Sequence, residues 1–205
     1  MGLAGVPVAA ETIALHTILE LTRATGARVH LCRLSSAAGV ALVRQAKDEG
    51  LNVSCDVSIN SLHLIDTDIG YFDSRARLNP PLRQQRDRDA IREGLADGTI
   101  DALVSDHTPV NEDAKALPFA EAEAGATGLE LLLGLALKWG QESGVGLMRA
   151  LAVLTCEPAR VLGPALGTLQ ASAGQLVAGG VADICIFDPQ DEWTVRPDAL
   201  TSQGK

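Results

Sequence analysis

The chain has few histidines and cysteines, and those it has are scattered. Its four histidines (His16, His30, His63 and His107) show no HxH or HExxH pairing, so no short motif puts two imidazoles on one ion. The four cysteines (Cys32, Cys55, Cys156 and Cys185) lie far apart without CxxC spacing. Three of them fall in apolar strand-like runs, so buried reduced thiols are expected rather than disulfides or zinc ligands, as suits the cytoplasm. No apolar run reaches the roughly 18 residues of a membrane span, and the start lacks the basic region of a signal peptide. Neither a membrane nor export is expected. No basic cluster offsets the net charge of -9, which would repel phosphates and disfavours a nucleic-acid partner.

What is present is the composition of a globular protein, 46% hydrophobic and 21% charged over 205 residues. Strand and helix patterns alternate. Residues 10–25 read as a helix with Ile13, Leu15, Ile18, Leu19 and Leu21 on one side, and residues 27–35 as a strand. Ser36 caps a helix over 37–49 that faces Val40, Leu42 and Val43 inward and ends at Gly50. A strand over 51–58 follows, then a loop through Asp66 and Asp68 to Arg83, a charged helix over 86–96 and a strand over 100–105. Helices over 128–142 and 147–155 come next. Past Gly163, the runs 167–169 and 182–188 read as short strands of a small β-rich appendage. The βα alternation implies parallel strands joined by crossovers. A helix begins almost at once after residues 1–7, and residues 201–205 carry no ordered terminal element, so the chain reads as a piece of something larger.

The most informative segment closes the third strand: Asp106-His107-Thr108-Pro109-Val110. An aspartate at the C-terminal mouth of a barrel strand can bind a divalent ion and take a proton from its water. One aspartate makes no site, because a catalytic zinc needs about three protein ligands.

The segments 29–35, Asn79-Pro80-Pro81-Leu82-Arg83, 97–101, 105–109, Gly128-Leu129-Glu130, Glu157-Pro158-Ala159, Ala182-Asp183 and 187–189 together resemble dihydroorotase of the amidohydrolase superfamily. The resemblance covers nearly the whole chain. It implies an α/β fold: residues 1–162 as the C-terminal part of a (β/α)8 barrel, its last three βα units, and residues 163–205 as part of the small β-rich domain. It implies zinc in the family, and Asp106 as a metal-binding and catalytic position. Asn79 and His107 take substrate-binding positions, with Arg83 in the same turn as Asn79. The histidine ligand that ends the family's sixth strand is Arg33 here, and a protonated guanidinium cannot ligate zinc. The histidine closing the family's eighth-strand motif is Val110, and the loop after the seventh strand reads Ile59-Asn60-Ser61. This chain is therefore expected to hold no zinc of its own.

Each residue also has a plainer reading. His107 in a tight turn is more often a structural hydrogen-bonding group, Asn79-Pro80-Pro81 serves equally as a rigid turn, and Asp183 suits a turn. His30 is given little weight as a ligand, and His16 and His63 none. Three readings stand: a non-catalytic dihydroorotase-like subunit, a structural partner of aspartate carbamoyltransferase in pyrimidine synthesis; an active zinc amidohydrolase opening a cyclic amide when full length; and a different ligand-binding module on the same fold. If the barrel closes as in the family, Arg33 and Asp106 pair at its mouth. The missing N-terminal half is expected as a partner, and the chain alone as an oligomer.

Overall fold

The computed structural model describes residues 5–202. Three strands, β1 (Val29–Leu34), β2 (Val53–Ser58) and β3 (Ala102–Val104), lie in chain order as one parallel sheet. Helix α1 (Val8–Thr25) precedes the sheet. Helix α2 (Ala37–Asp48) connects β1 to β2, and α3 (Ile59–His63) and α4 (Gln85–Asp97) connect β2 to β3. After β3 come α5 (Glu112–Lys115), α6 (Leu132–Glu142), α7 (Gly146–Ala152) and α8 (Cys156–Leu162).

Strand parity divides the sheet into two unlike faces. Leu31, Val53, Cys55, Val57 and Leu103 are buried against Leu15 and Leu19 of α1, Val40 and Val43 of α2, Ile91 and Leu95 of α4, and Trp139 of α6. The other face is polar. His30 is in register with Ser54, which puts His30, Cys32, Ser54 and Asp56 on the side away from that core.

Local chemistry sets the boundaries. The Ser36 hydroxyl accepts the Gly39 N–H to start α2, and Gly26, at φ 69°, ends α1 in the left-handed conformation. From the first turn of α1, Glu11 reaches across to the β1–α2 turn. Its carboxylate accepts the Ser35 N–H at 2.9 Å, the Ser36 N–H at 3.1 Å and both serine hydroxyls.

Several expectations need correction. On α1, Ile13 and Leu21 are exposed while Leu15, Leu19 and Thr22 are buried. At 100° per residue Ile13 stands roughly opposite Leu15, so the buried stripe is narrower than the apolar one. Residues 59–63 form a helix, and residues 129–131 take a 3-10 turn before α6. The runs 167–169 and 182–188 form no ladder: the first lies in a 3-10 segment and the second is unpaired. A strand needs a partner, and alternation alone supplies none. Of the cysteines, all free, only Cys55 is buried, with its thiol pushed up to about 12 by burial, whereas Cys32 and Cys185 are exposed. Toward the end, Glu130 accepts the Thr201 and Ser202 N–H groups, so the chain is tethered there; residues 203–205, and 1–4, lie outside the described residues. Among the described residues no helix is long and apolar enough to cross a membrane.

His63 gives the fold a pH dependence. Its Nε2–H donates to the Leu135 carbonyl at 2.9 Å, and burial holds its pKa below the usual histidine value, with Arg92 and Lys138 adding to the effect and Glu142 opposing it. On acidification the unfolded chain takes up this proton first, so stability is lost as pH falls below about 6.5 toward the folded-state value. Urea midpoints measured from pH 7.5 to 5.5 are expected to fall, and less steeply in His63→Gln.

Candidate active-site mouth

The C-terminal ends of β1 and β3 lie at the same end of the sheet, on either side of β2. Between Leu31 and Leu34 the pairing with β2 shifts register, and Arg33 within that bulge has φ 57°. Asp106, just past β3, has φ 47°. Non-glycine residues held left-handed cost about 1–3 kcal/mol each and gather at functional sites. Here two of them face each other.

The Arg33 guanidinium contacts the Asp106 carboxylate at 3.3 Å, and the same Nη1 donates to the Asn79 carbonyl at 3.1 Å. The pairing expected from the sequence is present. The Arg33 side chain is 44% exposed and that of Asp106 13%, so the pair contributes about 1 kcal/mol or less. Asn79 joins through its backbone, beside a cis bond to Pro80. Arg83 donates from Nε to the Ser35 hydroxyl at 3.1 Å, linking this turn to the Glu11 cluster.

The remaining candidates are turned to other tasks. His107 Nδ1 accepts the N–H groups of Gly128 and Leu129, each at 3.2 Å, so the ring proton sits on Nε2. The ring therefore clamps the segment before α6 onto the strand end. Val110 is buried. Asn60, after β2, has a buried Nδ2 without a hydrogen-bond partner. An ion on Asp106 would lie against the Arg33 guanidinium, and among the described residues no group of three or more carboxylate, imidazole and thiol ligands includes Asp106. By themselves the described residues do not complete a zinc centre at Asp106.

Gly128 shows how tightly this edge is built. A Cβ there would stand 2.0 Å from the Ser105 carbonyl oxygen, one residue before Asp106. Backbone cannot yield as a side-chain tip does. Gly128→Ala is expected to destabilise the fold by about 2–3 kcal/mol, read as a lowered urea midpoint.

Sequence reasoning missed a second cluster beneath the mouth. His30 Nε2 lies 2.9 Å from Asp56 Oδ2, its Nδ1 lies 2.8 Å from Ser54 Oγ, and Asp56 Oδ1 accepts the Arg33 N–H at 2.7 Å. Cys32 stands beside them, its thiol held above the ordinary range by burial and by the Asp56 carboxylate. The signal was the alternation of His30 and Cys32 against Ser54 and Asp56, legible only once the register is known.

No family model matches the chain. It is 38% identical over 205 residues to a dihydroorotase of Geobacter sp., covering all of this chain and 47% of that protein. It is 41% identical to a dihydroorotase-like protein of Pseudomonas aeruginosa, again over all of this chain and 47% of the relative. The chain spans about half the length of the curated relatives it matches. Among solved structures, a D-hydantoinase (dihydropyrimidinase) from Thermus sp. superposes with a TM-score of 0.85 over 97% of this chain and 43% of the other, at 24% identity. An L-hydantoinase (dihydropyrimidinase) from Arthrobacter aurescens gives 0.77 over 86% and 39%, at 29% identity. Over its full length the chain is thus similar to a C-terminal portion of dihydroorotases and dihydroorotase-like proteins, and it shares the fold of hydantoinases.

Proposed function

We propose that this chain is part of a dihydroorotase-like protein of pyrimidine biosynthesis that is catalytically impaired and serves as a structural partner, with aspartate carbamoyltransferase as the partner the resemblance indicates. The observation carrying this reading is the Arg33–Asp106 contact, which sets a permanent cation where the family resemblance calls for a histidine and an ion. Residues 1–162 are read as barrel and 163–205 as part of the small domain, in a cytoplasmic protein. Asp106 keeps the family's catalytic and metal position, and Asn79 and His107 its substrate positions. Yet Asp106 is engaged by Arg33, and His107 Nδ1 is occupied by two backbone N–H groups.

The full-length protein is expected to show no dihydroorotate hydrolysis above background, and to co-purify with aspartate carbamoyltransferase. Asp106→Ala should leave its metal content unchanged. Hydrolysis abolished by Asp106→Ala, together with zinc lost in that variant, would establish instead the second reading, an active zinc-dependent dihydroorotase. What favours that alternative is the identity to proteins named dihydroorotase and the retained carboxylate at the mouth.

A further inference from the structure

We propose that His30, Cys32 and Asp56 form a binding site for one divalent ion of zinc's class, on the polar face of the sheet and distinct from Asp106. One ligand atom from each residue, an imidazole nitrogen, the thiol sulfur and a carboxylate oxygen, lies within 4.8 Å of the other two. Tetrahedral zinc, with bonds of about 2.0–2.3 Å, needs ligand atoms roughly 3.3–3.7 Å apart, so rotations of the side chains close the site. Nitrogen, thiolate and carboxylate together suit zinc and cobalt better than magnesium or calcium, which prefer oxygen alone.

Two further observations mark the cluster as built. Ligating histidines donate their other N–H to a nearby acceptor, and Ser54 Oγ stands 2.8 Å from His30 Nδ1 in that place. Ligating carboxylates are themselves held, and the Arg33 N–H holds Asp56 Oδ1 at 2.7 Å. With Nε2 on the ion, the imidazole proton sits on Nδ1 facing Ser54, and the thiol proton leaves to solvent. Cys32 is exposed and Asp56 buried, so the ion has both an entry side and a fixed floor. A barrel interior is ordinarily packed with bulky branched side chains, and this face carries donors instead. The site departs from the sequence expectation that the chain holds no ion, and stands independently of the function proposed above.

The test is cobalt and zinc titration of the purified full-length protein. One equivalent of Co2+ is expected to produce a thiolate-to-cobalt charge-transfer band in the near ultraviolet. Cys32→Ser should abolish the band and His30→Gln weaken cobalt binding at least tenfold, while Asp106→Asn leaves both unchanged. Zinc should also slow alkylation of Cys32 at least tenfold without protecting the exposed Cys185, a readout on the unmutated chain that holds even if a variant folds poorly. Stoichiometric cobalt without a thiolate band, binding lost in Asp106→Asn, or equal alkylation of Cys32 with and without zinc would each overturn the proposal.

Discussion

At low micromolar concentration the 205-residue chain is expected to elute from a size-exclusion column as oligomer or aggregate, with little monomer. Among the described residues β1 and β3 each pair with β2 alone, so their outer edges lack a neighbouring strand, although on β3 the Leu103 N–H is held by the Val153 carbonyl at 3.0 Å. Such edges invite pairing with another chain. Parallel sheets are almost always covered on both faces, yet among the described residues the apolar core cluster lies on one face, and Cys32 on the other is exposed. Leu176, Ile184, Ile186 and Trp193 are also exposed, adding apolar surface that water does not favour. The measurement is light scattering on the eluting peak. A monomer that melts sharply would show that the chain has a self-sufficient core.

Glu11→Ala is the point substitution with the largest expected effect, a loss of about 3–5 kcal/mol of stability. The carboxylate accepts two backbone N–H groups and two hydroxyls from Ser35 and Ser36, both fully buried. Hydrogen bonds to a charged group contribute about 1.5–3 kcal/mol each, and their loss leaves buried donors without partners. Folded domains hold only about 5–15 kcal/mol in all, so the variant is expected to accumulate poorly. Glu11→Gln, which keeps one acceptor oxygen, should recover part of the loss. Urea midpoints at one fixed protein concentration check both, since association makes stability concentration-dependent. Equal midpoints for Glu11→Ala and the parent would contradict the capping role assigned to this residue.

The sequence carried the Arg33–Asp106 contact because an unusual residue at a known kind of position leaves a charge that needs compensation. It carried the three strands and most helices because their periods differ, 2 against 3.6. Glu11 was invisible there. Its partners lie 24 and 25 residues away, and nothing in the spacing marks a carboxylate that caps another element's turn. The His30–Asp56 contact likewise depends on the register of two strands, a tertiary fact. Residues 182–188 alternate as a strand should, but strand formation belongs to a pair of segments and not to one. The backbone contacts of His107 accord with its plainer reading, since a ring in a tight turn has backbone donors within reach.

The order β1-β2-β3 has a further consequence for how anything completes this sheet. With β2 in the middle, a complementary sheet fragment engages two seams, one along β1 and one along β3, where the Leu103 N–H is already held by the Val153 carbonyl. Closing the first seam raises the local concentration of the second to roughly millimolar, so the second forms almost at no extra entropic loss. Assembly is then bivalent and steeply cooperative: half-closed forms are scarce, dissociation requires both seams to open together, and a substitution that weakens one seam slows completion less than it speeds release.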